Sequence, residues 1–401
     1  MLLILFPYKF TEFYAYLLDI ENLENKLKCK VEVHDLSNII NKNWNKSFLT
    51  NKSKKCIEFY NYNDWKARFN KLKNDNKLTI FNFLDLNSFK SLCIHFVLYK
   101  SKLKIMRLST SGVIEHNYYY KKNIFDYIKQ ILSLGISFPK FIYVFKTGFL
   151  RLIYKSLFPL SEILLISGSK KQSITNLGKK KIEMSFHSLD YSKALNKKIT
   201  RKNNNIIYFD SPSPFFKDDE DTIYQNKKSL IKDNHIKNHY KILNRFLSSI
   251  EKIYKSKVII VPHPKVKKIR NPFYDKKFKI ANQVDAAESL VNTCKLIICA
   301  SPSTVVAYAI KNYKPILILE GEGFKNSESA KLDNYLGAKV MIKFIGCCAI
   351  NYETSIDKKI FIKVNKKKYD NYRFRFLTSK KIIGLKNYQI ISKVINQTDL
   401  I

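Results

Sequence analysis

Two stretches decide how this chain folds: Val258-Ile-Ile-Val-Pro-His-Pro264 and Leu296-Ile-Ile-Cys-Ala-Ser-Pro-Ser-Thr304. Each is a short apolar run, rich in β-branched residues, that stops at a proline or a hydroxyl cluster. A run apolar on both faces belongs to a strand buried on both sides of a parallel sheet. Around them the alternation continues, with strands expected over 206–209, 258–261, 296–300 and 316–319 and helices over 239–254, 285–292 and 303–312. Strand and helix in turn build a doubly wound sheet covered on both faces.

The same rhythm opens the chain. Apolar runs at 2–6, 31–36, 78–83 and 104–106 are separated by amphipathic stretches, of which 11–28 carries apolar residues at helical spacing. The stretch 196–205, Asn-Lys-Lys-Ile-Thr-Arg-Lys-Asn-Asn-Asn, has almost nothing to bury and reads as a linker. The expectation is therefore two doubly wound, Rossmann-like α/β domains facing a cleft: 1–195 first, 206–364 second, and a helical segment 365–401 crossing back. A length of 401 residues, 45% of them hydrophobic, suffices for two cores.

Composition bounds the function. The net charge is +39, but eight arginines among the 72 basic residues leave 64 lysines. Arginine is the side chain suited to bidentate reading of bases and phosphates, so charge spread on lysine argues against a dedicated nucleic-acid partner. A field of this sign still attracts anionic headgroups, glycans and nucleotide phosphates. Seven cysteines without CxxC spacing indicate neither a zinc site nor a disulfide framework, and a reducing, cytoplasmic setting is expected. The most apolar window, 138–165, is interrupted by Lys140, Lys146, Arg151, Lys155 and Glu162, so no spanning helix is expected. Its mixture of aromatics and cations over 138–158 suits peripheral contact with an anionic membrane surface, or a helix pair with one apolar face.

In open parallel sheets ligands bind beyond the carboxyl ends of the strands. In the second domain those positions hold Pro262-His263-Pro264, Ser301-Pro302-Ser303-Thr304 and Glu320-Gly321-Glu322-Gly323. Hydroxyls and free amides opening a helix suit a phosphate, and an ordinary helix cap uses the same residues. A histidine held between prolines is placed to donate to a phosphate oxygen or to a departing nucleotide.

A strand ending in His-Pro, then a strand ending in a Ser/Thr cluster, then a strand entered through Lys314-Pro315, together resemble three bacterial groups. They are the sialyl- and polysialyltransferases, the capsule Kdo transferases and the teichoic-acid glycerophosphotransferases. A segment like Ile207-Tyr-Phe-Asp-Ser-Pro-Ser-Pro-Phe215 before the His-Pro strand is similar to that of further surface-carbohydrate proteins. The resemblance spans 206–320 and implies the GT-B architecture and a glycosyltransferase. Its donor would be a nucleotide-activated sugar, cytidine-linked in the sialyltransferase-like relatives. Its acceptor would be a surface polysaccharide or lipid-linked glycan, in capsule or lipopolysaccharide assembly. It implies donor contacts for His263, Pro264, Ser301, Ser303 and Thr304; Glu320 joins these candidates by its place at the third strand end, and His263 is also the candidate that stabilises the leaving group. No metal and no cofactor are expected, and inversion at the sugar is.

The first domain departs from that pattern, because the acidic pair followed by glycine that supplies the general base in such relatives is missing. Glu115, in Ser111-Gly-Val-Ile-Glu-His116, is the candidate replacement, and Asp85 the second. A sugar-nucleotide epimerase of the same fold and a noncatalytic binder of anionic glycan or nucleic acid are the competing readings. Asp218-Asp-Glu-Asp221 lacks the glycine turn and ligand spacing of a calcium loop and reads as a solvated acidic turn. Ser167-Gly-Ser-Lys-Lys171 is placed to face the cleft but lacks the Walker frame.

Overall fold

The computed structural model describes residues 1–40, 53–75, 77–84, 88–109, 146, 149–150, 152–153, 161–169, 180–196, 204–211, 233–263, 271–299, 304–321, 323 and 341–397. Its architecture is α/β, with two wholly parallel sheets. The first runs β1 (Leu2–Phe6), β2 (Val31–Asp35), β3 (Cys56–Glu58), β4 (Thr79–Asn82), β5 (Lys104–Ser109), β6 (Ser161–Ser167) and β7 (Lys180–Phe186), in spatial order β3-β2-β1-β4-β5-β6-β7. The second runs β8 (Ile206–Phe209), β9 (Val258–Val261), β10 (Lys279–Ile280), β11 (Leu296–Cys299), β12 (Ile316–Glu320) and β13 (Cys348–Asn351), in order β10-β9-β8-β11-β12-β13. Both orders reverse beside their first strand, and this places one switch point between β1 and β4 and another between β8 and β11.

The stretch expected as one helix over 11–28 is two, α1 (Glu12–Leu18) and α2 (Ile20–Leu27). Asp19 between them is left-handed at φ 59°, a conformation that aspartate tolerates because its short polar side chain bonds locally. Here that bond is from Asn22 Nδ2 at 2.8 Å. The first sheet is covered further by α3 (Ser37–Ile40), α4 (Tyr62–Leu72) and α5 (Phe89–Ser101). β2 is buried throughout despite the sequence Val-Glu-Val-His-Asp. Arg68 makes this tolerable by gripping Glu32 with two bonds of 2.9 and 2.7 Å, which, after the His34 bond, hold its carboxyl well below the usual range.

Helix α6 (Leu189–Ala194) joins the sheets, and α7 (Asp233–Tyr254) covers one face of the second. α7 starts at Asp233 rather than 239 because Ile236 and Tyr240 continue the buried stripe of Leu243, Leu247, Ile250 and Tyr254. The opposite face carries α8 (Ala286–Val291) and α9 (Val306–Lys311). The chain then returns through α10 (Lys366–Tyr372), a π turn over Arg373–Leu377, a 3-10 turn over Lys380–Ile382 and α11 (Asn387–Gln397). Tyr369, Tyr372, Phe376 and Leu377 enter the core of the second sheet, and Ile390, Ile391 and Val394 that of the first.

The segment Ser167-Gly168-Ser169, expected toward the cleft, instead receives this tail. Ser167 Oγ donates to the Phe376 carbonyl and the Ser169 amide to that of Phe374, both at 3.0 Å. Most of 138–158 lies outside the described residues; within it Phe149 is exposed and Leu150 buried. Among the described residues no helix is long and apolar enough to cross a membrane.

Candidate functional site

Parallel register brings the ends of β8, β9 and β11 together, with Phe209 opposite both Val261 and Cys299. Pairing continues one residue further, where the Asp210 amide donates to the Val261 carbonyl at 3.0 Å. Asp210 therefore follows the central strand at the switch point, with Pro262 and half-buried His263 on the neighbouring strand end. Pro264, Ser301 and Ser303 lie outside the described residues, as do Glu115, Asp85 and the acidic run 218–221.

Thr304 and Glu320 are described, and each has a structural engagement. The Thr304 hydroxyl donates to the carboxyl of Asp190, a buried residue of α6 whose pKa is raised by burial and restrained by that bond. The helix expected from 303 begins only at Val306, capped by Val305 without a side-chain bond, so Thr304 precedes it within a turn. Glu320 closes β12, and its carbonyl accepts the Tyr352 amide at 3.0 Å. The next loop runs tightly over Tyr352 and His239, which bond to each other at 2.8 Å, and Gly323 leaves no room for a side chain against either.

Sequence reasoning missed three charged groups at this junction. One is Asp210, held among Tyr208, Tyr240 and Tyr274, where burial pushes its carboxyl up to about 7 against the Tyr274 hydroxyl, the Ser211 amide and the Tyr208 hydroxyl at 3.4 Å. The others are Asp190 and Lys193 of α6. Lys193 is only 4% exposed; it pairs with Asp19 at 3.3 Å and lies over the Tyr16 ring at 4.1 Å. Tyr16 in turn donates to Glu288, 3% exposed, on α8. One face of α6 thus grips the β11 loop through Asp190 and the first sheet's α1 through Lys193. The available signal was positional: Asp210 directly follows an expected strand, as the chosen residues do.

Tyr16→Phe is expected to leave the buried Glu288 carboxylate short of its cross-sheet donor and to lower stability by about 1–3 kcal/mol. Urea unfolding reads this, and an unchanged midpoint would mean that the pair does not hold the two sheets together.

No family model matches the chain, and no curated protein matches it in sequence. Solved structures similar in shape include the wall teichoic acid polymerase TagF, at 12% identity and TM-score 0.46 over 99% of this chain and 89% of that one. WaaG, a glycosyltransferase involved in lipopolysaccharide biosynthesis, is 11% identical with TM-score 0.43 over 98% and 99%. UDP-GlcNAc 2-epimerase from Methanocaldococcus jannaschii is 12% identical with TM-score 0.40 over 99% and 100%. At such identities the functional reading rests on this chain's own residues.

Proposed function

We propose that this protein is a GT-B glycosyltransferase that moves a sugar from a nucleotide-activated donor to a surface polysaccharide or lipid-linked glycan, with inversion and without a metal. Residues 206–364 would bind the donor and 1–195 the acceptor. The observation that carries the reading is the convergence of Asp210, Pro262-His263 and the end of β11, Cys299, at the switch point of a parallel sheet, the place where such sheets bind phosphates and nucleotides. His263 donates to the donor phosphate and steadies the departing nucleotide, whereas Thr304 acts through its tie to Asp190. Glu115 remains the proposed base, removing the acceptor hydroxyl proton as the oxygen attacks the anomeric carbon and the nucleotide leaves with the bonding electrons.

Calorimetric titration with CMP, UDP, GDP and CDP tests the site directly. His263→Ala is expected to weaken the preferred nucleotide tenfold to a hundredfold, the loss of one charge-assisted hydrogen bond, without unfolding the protein. Unchanged affinity would remove His263 from the donor site. Conversion of a nucleotide sugar to its epimer without an acceptor would replace the transferase reading with the epimerase one.

A further inference from the structure

The carboxyl of Asp210 has an unusual place. It stands at the end of the central strand, between the ends of β9 and β11, where the proposed donor's phosphate would lie. Among the described residues, the elements packed around it offer phenols and amides. Tyr208 comes from β8 itself, Tyr240 and His239 from α7, Asn271 and Tyr274 from the stretch before β10, and Tyr352 from beyond β13. His239 and Tyr352 are engaged with each other. Tyr240 Oη, Asn271 Nδ2 and Tyr274 Oη are buried, at 1%, 6% and 5% residue exposure, and among the described residues they have only loose partners, Asn271 for Tyr240 and Asp210 for Tyr274. The groups that stabilise the charge of Asp210 are the Tyr274 and Tyr208 hydroxyls and the Ser211 amide, and no cationic side chain joins them among the described residues. Desolvation without a counter-charge favours the neutral carboxyl, and an incoming phosphate, being an anion, favours it further.

We propose that Asp210 is a donor-site residue that binds in its protonated form, so that the protein takes up a proton together with the phosphate of a nucleotide. This rests on the donor-site reading above. The carboxylic acid donates its O–H to a phosphate oxygen, whereas the carboxylate would meet that oxygen as a like charge. Linkage fixes the sign: if phosphate binding favours the protonated carboxyl, deprotonation must weaken phosphate binding by the same factor. Burial holds the free carboxyl near neutrality, at about 7, so the weakening falls on its alkaline side. A nucleotide phosphate, whose second pKa lies at about 6, is mostly ionised at pH 7 and almost wholly so from pH 8, where it adds little titration of its own.

The test is calorimetric titration of the full-length protein with whichever of CMP, UDP, GDP or CDP binds at pH 7, repeated from pH 7 to 9. Buffers of different ionisation enthalpy report the protons exchanged. The expected result is affinity falling roughly tenfold or more over that range, with net uptake approaching one proton per nucleotide at pH 8. Asp210→Asn is expected to bind with a flat pH dependence and no uptake, while His263→Ala keeps the slope, which separates the carboxyl from the imidazole. Nucleotide binding in the natural protein without uptake and without a slope would overturn the role of Asp210 while sparing the donor site. Absence of CMP, UDP, GDP and CDP binding at every pH would overturn both. The uptake measurement needs no variant, so a poorly folding Asp210→Asn protein does not weaken it.

Discussion

A chain ending at residue 365 is expected to yield no cooperatively folded protein. The deleted tail carries Tyr369, Tyr372, Phe376 and Leu377 in the core of the second sheet, and Ile390, Ile391 and Val394 in that of the first, each no more than 4% exposed. Fully burying a large apolar side chain contributes about 1.5–3 kcal/mol, so seven of them correspond to roughly 10–20 kcal/mol. Part of that is already realised in a compact unfolded chain. Even the reduced figure matches the whole net stability of an ordinary domain, about 5–15 kcal/mol. Polar ties would go as well: the buried His187 imidazole bonds Thr378 at 2.7 Å and the Leu385 carbonyl at 3.0 Å. Thermal unfolding followed by near-ultraviolet circular dichroism measures the outcome. A shortened protein melting cooperatively near the full-length temperature would mean that the tail is an accessory to two self-sufficient cores.

Gly168→Ala is expected to be nearly as damaging, through one methyl group. Gly168 has φ +77°, and a Cβ there would overlap the Arg375 carbonyl group and lie 2.6 Å from the Phe376 nitrogen. Those are backbone atoms, pinned by the hydrogen bonds from Ser167 and Ser169 to the carbonyls of Phe376 and Phe374. Relief therefore requires withdrawing the π turn and the apolar side chains beyond it. Adding about 1–2 kcal/mol for a left-handed alanine, the loss should exceed about 4 kcal/mol. Gly384 is the matched control, with φ +94° and nothing within 4 Å of a Cβ, so Gly384→Ala should show the conformational cost alone. Urea midpoints that fall equally for the two variants would show that the tail yields at Gly168.

The effect of Gly168 explains why its segment was misread. From Ser167-Gly-Ser-Lys-Lys171 alone, a glycine after a strand suggests a ligand's close approach, yet the atoms approaching it belong to residues 374–376, some 200 positions away. The one-helix expectation over 11–28 failed differently. Its apolar periodicity is sound on both sides, but Asp19 takes the left-handed conformation and pairs with Lys193 from α6. Thr304 was expected within the first turn of a helix; it precedes that helix, and what its hydroxyl bonds was decided by a carboxyl on a helix between the sheets.

By itself the sequence determined the class of fold. Runs such as Val258–Val261 and Leu296–Cys299 are apolar on both faces and too short for helices, and only a covered parallel sheet buries them. It also marked the edge at which open parallel sheets bind ligands, because that edge follows from strand direction alone. Only the tertiary structure decided which residues at the edge are chemically distinctive. Asp210 is unremarkable within Tyr-Phe-Asp-Ser-Pro; it becomes a half-buried carboxyl near neutrality because the surrounding phenols, Tyr240 and Tyr274 from other elements among them, reduce its hydration and bring no positive charge. Lys193 and Asp190 likewise carry no sequence signal of their burial, which comes from the two sheets that close around them. Strand direction is written in local hydrophobicity, whereas the solvation of a charge depends on every atom packed against it, most of them distant in the chain.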